Sequence, residues 1–415
     1  MSHRCTFVAA VLALSVGVAL GAGPVQAAVG PGDWAQQGAG PAHTSAIRSP
    51  GGLSPATVSD IGLRFSAPTR ADGAVAVAGG VAYAGNENGR LVAMSTQNGR
   101  TLWSQSTCDG DPVPSHALFA DQPPAIGANT AWVVSVANLT QASTLTAISL
   151  TTHAVTHCVP LGADLTFGST APTLAGGSVF AAAGNKVTAV NATTGAVQWT
   201  AHLPNGVVSS TLAVDGGLVI VPAASSAFDE GWVYAYRSID GHPVWTYQMA
   251  APVTTVTVSG GRVFAGAIPT ALDEPTGHQL WRLPGYFVAD TGWSVSGSRL
   301  FFYGGETCNA PASVGGSCEG TVFAFDTATG HRLWMTSLTS EGAGVVSVGG
   351  GLVYLTDSID EGIVHVLSSA TGAVVTSLTH PGGFYTSQPV VVAGSVYLVG
   401  YLDNSFAGFL DAWAL

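Results

Sequence analysis

Hydrophobic and polar positions alternate along most of this chain in short runs broken by turns. "GGVAYAGNENGRLVAMSTQNGRTLW", "GGSVFAAAGNKVTAVNATTGAVQW" and "GGLVIVPAASSAFDEGWVYAYRSIDGHPVW" share one grammar. Each passes from a Gly-rich turn through a period-two run, a turn, a second period-two run, a Gly turn, and a last run carrying Trp. "GSRLFFYGG", continued by "EGTVFAFDTATGHRLW", does the same. Alternation bounded by turn residues predicts antiparallel strands. With the preceding segment, of the type "APTLA" or "SSTLAV", each copy holds four of them.

The copies are in register. Gly followed four residues later by Trp occurs at Gly99 and Trp103, Gly195 and Trp199, Gly241 and Trp245, Gly277 and Trp281, and Gly330 and Trp334. "TGAVVT" from Thr371 and "THAVTH" from Thr152 keep the frame without the Trp. A period of roughly forty residues marks a repeat architecture, and a four-stranded sheet repeated radially is a propeller blade. The Gly supplies a positive φ in the turn between third and fourth strands, where Asp326 or Asn191 can hydrogen-bond the backbone just ahead. The Trp buries a large ring where neighbouring blades must lock. These are structural residues rather than an active site.

Copies around Trp103, His157, Trp199, Trp245, Trp281, Trp334 and Thr376 make seven blades. An eighth starts at "SQPVVVAGSVYLVG" but reaches "FLDAWAL" without an outer strand, and "LRFSAPT" near Phe65 is placed to supply it. The expected fold is an all-β, eight-bladed β-propeller of four-stranded antiparallel blades, closed by an N-terminal strand completing the last blade. Seven blades are the alternative. Closure removes the sheet edges that an open array would expose.

"MSHR", the apolar run after it and the small residues of "PVQA" predict a signal peptide over 1–27, cleaved after Ala27. Residues 28–61 then form an N-terminal lead-in segment and 62–415 the propeller. Cys5 precedes the apolar run and is not placed to carry a lipid anchor, and no other stretch is apolar for the length of a membrane span. Export, to the medium or the extracellular cell envelope, makes disulfides the expected state of the four remaining cysteines. Cys308 and Cys318 flank the loop "NAPASVGGS", leaving Cys108 and Cys158 for each other.

Composition narrows the partners. The 415 residues are 47% hydrophobic and only 9% charged, with 54 glycines and a net charge of -12. Nucleic acid and anionic membrane surfaces need clustered Lys and Arg and are excluded as partners.

"ALDEPTGHQLW" from Ala271 resembles the quinoprotein, or pyrroloquinoline quinone-like, repeat. The lead-in agrees, with Asp33-Trp34, Arg48-Ser49-Pro50 and an outer-strand segment at Leu63 to Ser66. That superfamily includes alcohol and sugar dehydrogenases and the propeller lipoprotein of the outer-membrane barrel-assembly machinery. The resemblance implies, for a dehydrogenase, basic residues clamping a cofactor with several carboxylates, calcium ligands, an Asp base and often a vicinal disulfide. This chain has no adjacent cysteines. Arg100, Arg262 and Arg299 fall in or beside turns, Arg332 lies next to an outer-strand Trp, and the segments starting innermost strands ("GSTAP", "VSSTLA", "VTTVTV", "TSQPVV") are small and hydroxyl-bearing. No cofactor is predicted; pyrroloquinoline quinone with calcium enters only under the alternative function.

In a propeller the loops between second and third strands share a face with the links between blades. Asp109, Asp111, Asp121, Asp229, Glu230, Asp290, Glu306, Glu319, Glu341, Asp357, Asp360 and Glu361 fall on that face, and Arg100, Arg262 and Arg299 on the other. An acidic rim can take a cation or a basic or polar partner; it also serves solubility, since turns prefer such residues anyway. "SAFDEGW" and "DSIDEG" lack the ligand spacing of a calcium loop, so no metal site is assigned. The eleven histidines form no metal motif, and Asn138-Leu139-Thr140 is a formal glycosylation sequon. The expected function is a non-catalytic, monomeric binding or scaffold module for a protein, peptide or glycan, through the loop face or channel. The alternative is a divergent quinone-dependent alcohol or sugar dehydrogenase.

Overall fold

The turn before each outer strand gives the repeat its shape. In the computed structural model, Asn191 Oδ1 accepts the backbone N–H groups of Thr193 and Thr194 at 3.0 and 2.9 Å, and Asp326 Oδ1 those of Ala328 and Thr329 at 3.1 and 2.9 Å. The glycine that follows is left-handed, at φ 68° for Gly195 and 70° for Gly330. The structure describes residues 30–415 except 31, 49, 70–73, 87, 109–121, 138–141, 164–169, 307–319, 339–345, 358–361 and 403–407. The leader, Asn138, Cys308 and Cys318 lie outside the described residues.

Eight antiparallel blades follow one another around an axis. Blade one is built from Ala76–Ala78, Val81–Gly85, Arg90–Ser95 and Thr101–Ser106. Blades two to seven repeat that order, innermost strand first. Blade eight takes its outer strand, Gly62–Pro68, from the N-terminal side of the chain, antiparallel to Gly408–Ala414 with Phe65 opposite Ala412. The closure expected from the sequence, and the count of eight rather than seven, are therefore what the fold contains. Among the described residues the only helical turn is the 3-10 segment Val58–Asp60.

The core is divided among the junctions. Eight hydrophobic clusters each lie between two neighbouring blades, ending with the one that joins blade eight to blade one. Each junction is locked at its rim. Trp199 lies over Gly241 of the next blade, so that a Cβ on this glycine would come within 2.6 Å of the ring. Its indole N–H donates to the carbonyl of Ser238 at 2.9 Å in the same turn. Trp245 does this with Glu274, Trp281 with Thr327 and Trp334 with Ser369, at 2.8, 3.1 and 3.1 Å. Opposite each such Trp on the third strand stands an alanine, Ala189, Ala235, Ala271 or Ala324, and the register shifts by one residue beside it. The small residue leaves room for the ring, and the bulge aims it at the neighbour.

Where the Trp is missing, something else holds the junction. Blade two carries His153 at the glycine position, left-handed at φ 57°, with Trp103 stacked on it at 4.6 Å. His157 replaces the Trp and lies over Gly195 of blade three, while Cys158 beside it is bonded to Cys108 and ties blade two back to the end of blade one. Blade seven has Thr376 in the Trp position. At its junction with blade eight the fully buried Asp411 accepts hydrogen bonds from Tyr385 at 2.7 Å and pairs with His380 at 2.8 Å, while Trp413 donates to Tyr385 at 3.1 Å. Phe65 of the closing strand covers Gly99 of blade one.

Replacing Gly241 by Ala is expected to cost about 2–4 kcal/mol, a left-handed penalty plus an overpacked ring. The same change at Gly176, with open space around its Cβ position, carries only the backbone penalty. Urea denaturation midpoints of the two variants check this; equal losses would mean that the tryptophan contact is not what the glycine serves. Reducing the Cys108–Cys158 bond, which spans 50 residues, is expected to cost about 4 kcal/mol, read as a lower midpoint in dithiothreitol than without it.

Candidate channel and loop-face site

Innermost strands of a propeller present unpaired backbone groups toward the axis, and buried groups of this kind need partners. Here the lead-in supplies them. Trp34 exchanges two backbone hydrogen bonds with Val77 of blade one, at 2.8 and 2.7 Å. The carbonyl of Ala35 accepts from Ile126 of blade two at 2.7 Å. Gln36 imitates a peptide group on blade three, its Oε1 accepting from the Leu174 N–H at 2.7 Å and its Nε2 donating to the Leu174 carbonyl at 3.2 Å. The carbonyls of Pro41, Ala42, Thr44, Ser45 and Pro50 then accept from Val214, Val258, Val295, Val348 and Gly394, at 2.7 to 2.9 Å. Residues 34–50 thus visit blades one to eight in order. Every contact lies beside the turn between first and second strands, so this segment fills the channel at the turn-face end.

Beyond it lies a polar cavity of about 40 Å³, with Gln37, His43, Thr211, Thr257, Trp293 and Gln388 among its walls. His43 is buried and left-handed at φ 53°. Its carbonyl accepts from Thr257 Oγ1 at 2.9 Å and its Nε2 lies 3.3 Å from Thr173 Oγ1. Burial pushes the imidazole down to about 4, so near neutral pH it bonds without charge. Trp293 Nε1 is buried with no acceptor among the described residues. Among the described residues no Lys, Arg, Asp or Glu lines the cavity. A quinone cofactor with its calcium needs cations for its carboxylates, carboxylate ligands for the ion, and a pocket nearer the roughly 300–1,000 Å³ of small-molecule sites. The lining does not fit that group.

Hydrogen bonds between connections define the two faces. Links leaving a blade bond its own second-to-third-strand hairpin, as Leu203 N–H does to Asn185 at 2.8 Å and Leu283 N–H to Pro269 at 2.9 Å. On the opposite face the third-to-fourth-strand turns bond the first-to-second-strand turns, as Ser238 N–H does to Gly217 at 2.8 Å.

Asp229 and Glu230 are exposed in the blade-four hairpin on the loop face. Ser225 Oγ donates to Asp229 at 2.6 Å, and Glu230 has no side-chain partner among the described residues. Glu306 and Asp357 end second strands at the same face, and Asp290 falls in an irregular stretch of blade six's innermost strand. Asp109, Asp111, Asp121, Glu319, Glu341, Asp360 and Glu361 lie outside the described residues. Arg262 and Arg299 bond backbone carbonyls on the turn face, Gly260 at 3.1 Å and Ser369 at 3.2 Å. Arg100 follows the turn at Gly99.

That face also holds carboxylates outside the predicted rim, Asp326 among them as a turn residue. The His242 N–H, with Arg237 nearby, holds Asp240 below the usual carboxylate range, and Thr329 does the same for Asp326. Glu274 is pushed up by burial and by Asp215 and Asp273. Acidity is therefore not confined to one face; much of the turn-face share is tied into the turns themselves. Among the described residues no group of three or more His, Cys, Asp or Glu could hold a metal ion.

The sequence profile of the family described as outer membrane protein assembly factor BamB matches residues 129–268 and 318–412. No curated protein sequence matches the chain. Among solved structures, a europium-containing methanol dehydrogenase is similar with a TM-score of 0.72 and 15% identity, over 93% of this chain and 98% of that one. The quinohemoprotein alcohol dehydrogenase ADHIIG from Pseudomonas putida HK5 gives 0.68 and 15%, over 93% and 80%. BamB from Moraxella catarrhalis gives 0.60 and 17%, over 86% and 100%. At these identities the likeness to solved structures is one of fold.

The buried histidine sets a pH dependence. Its folded value of about 4 lies below the ordinary 6.5, so between the two the unfolded chain binds the proton more readily and stability rises with pH. The contribution is complete above pH 6.5 and is lost as pH falls toward 4, about 3 kcal/mol in all. His43→Asn, which tolerates the left-handed backbone, should flatten the denaturation midpoint against pH in that window; a parallel offset from the parent chain would contradict the assignment.

Proposed function

We propose that this chain, which belongs to the family of the outer membrane protein assembly factor BamB, is a non-catalytic binding module. It works in the cell envelope or outside the cell and takes a protein, peptide or glycan on its loop face. The observation that carries this reading is the channel. Its turn-face end is filled by residues 34–50, and its remaining cavity is small and lined by no charged residue among those described, which favours the loop face as the surface to meet a partner. We read Asp229 and Glu230, exposed there, with Glu306, Asp357 and Asp290 on strands that end or bend at that face, as an acidic rim suited to a basic or polar partner. The Cys108–Cys158 bond supports an oxidising compartment. Among the described residues no helix is long and apolar enough to cross a membrane.

The competing reading is a quinone-dependent dehydrogenase, favoured by the likeness to dehydrogenase structures. The channel lining, uncharged among the described residues, opposes it.

Calorimetric titration of the mature chain with pyrroloquinoline quinone and calcium, alongside dye-linked oxidation of alcohols and sugars, separates the two. No heat of binding and no turnover are expected; tight calcium-dependent binding with turnover would make the protein an enzyme. A photo-crosslinking residue at position 230 is expected to capture a partner in the producing cell, and one at position 100 to capture none. Capture only from position 100 would move the binding surface to the turn face.

A further inference from the structure

Blade five is shorter than its neighbours. Its second, third and fourth strands, Arg262–Ala265, Thr270–Asp273 and Gln279–Arg282, have four residues each, whereas those of blade four have seven. The early turn after Ala265 leaves the end of blade four's outer strand, Pro243–Met249, overhanging a step. The step is a cleft of about 220 Å³ at the loop-face edge of the junction.

Its wall is set by the register shift. Leu272 pairs with Gln279, Ala271 with Trp281 and Thr270 with Arg282, so Leu280 is skipped. Side chains alternate by pair across a bulge. Trp281 therefore turns to blade six, where it covers Gly330, while Gln279 and Arg282 both face blade four. The positions equivalent to these two are Val197 and Thr200 in blade three, Pro243 and Thr246 in blade four, and Val374 and Ser377 in blade seven. In blade six they are Arg332 and Met335, so a charge recurs at the first position, but none of these blades has one at the position of Arg282.

The chemistry of the cleft is one-sided. Tyr247 OH donates to Gln279 Oε1 at 2.6 Å, which leaves both amide N–H groups of Gln279 to face a ligand. Arg282 is exposed and has no ion-pair partner among the described residues, in a chain with 24 acidic and 12 basic residues. Among the described residues no Asp or Glu lines the cleft. The floor is apolar: Ile268 and Met249, the latter lying across Gly266, where a Cβ would come within 2.8 Å of its sulfur. Donors above an apolar floor match a carboxylate carrying a short hydrocarbon tail, with the guanidinium fork suited to its two oxygens. The acidic hairpin Asp229–Glu230 leads into Gly231, the cross-strand partner of Met249, and disfavours dianions.

We propose that this cleft binds a monocarboxylate with a short apolar tail, its carboxylate on Arg282 and its tail on Met249 and Ile268. The site stands apart from the channel and does not depend on the reading of the loop face. A free organic acid and the C-terminus of a peptide share this chemistry, and the test separates them. The mature chain is titrated calorimetrically with isovalerate, with acetyl-Ala-Val carrying a free C-terminus, and with the C-terminal amide of the same peptide. At least one acid is expected to bind, with the amide weaker by about tenfold or more. Arg282→Gln should weaken the acid by a similar factor and Arg282→Lys by less. Ala267→Phe, which fills the cleft, should abolish binding, all three variants keeping the parent's thermal midpoint. Tighter binding of isovalerate assigns an organic acid, and tighter binding of the free peptide assigns a C-terminus. Equal binding of acid and amide, an unchanged Arg282→Gln variant, or no binding of either acid at about 10 mM would overturn the proposal.

Discussion

A tryptophan ring lying on a glycine of the next blade is the contact on which this ring of sheets depends. It joins three features that otherwise look unrelated in the chain. Gly241 must be left-handed to make its turn and must lack a Cβ so that Trp199 can approach. Ala189 must be small to let the ring lean over the strand, and the register must slip beside it to give the ring its direction. The indole N–H then satisfies the Ser238 carbonyl in the same turn. One residue changed in this set weakens two blades at once, because the ring belongs to one and its seat to the other. The junctions without the motif make the same point: a histidine ring over Gly195, a buried carboxyl network and a phenylalanine from the closing strand stand where the tryptophan does not.

The N-terminal stretch closes the molecule twice. Residues 62–68 complete the last blade at the circumference, and residues 34–50 complete the axis by bonding one innermost strand after another. The second closure decides what the channel can do. Propellers of this fold include dehydrogenases, yet here the described residues at the axis present amides, hydroxyls and a neutral histidine. Fold alone does not carry function; the residues at the axis do.

Chemistry appears where the repeat is broken rather than where it is kept. The conserved geometry of blades makes most of the outer wall uniform, and a shortened blade five opens a cleft in it with an arginine that no carboxylate in the described structure pairs. Loop insertions such as the one at Asp229 and Glu230 vary the face in the same manner, without disturbing the locks beneath.

The blades, their number, the glycine turns, the tryptophan locks and the closing strand at Phe65 were all legible in the chain, because each rests on local physics. Period two marks strands, turn chemistry marks their ends, and a repeated frame counts blades. The path of residues 34–50 was not legible, since a segment that bonds through its carbonyls can be written with almost any side chains. Nor was the seating of Gln279 and Arg282 on one face: simple alternation puts residues three apart on opposite faces, and only the skipped Leu280 reverses this. Composition and period determined that the chain is a closed propeller. Tertiary structure decided which groups meet at its axis and in its wall, because those meetings depend on register and on contacts between segments distant in sequence.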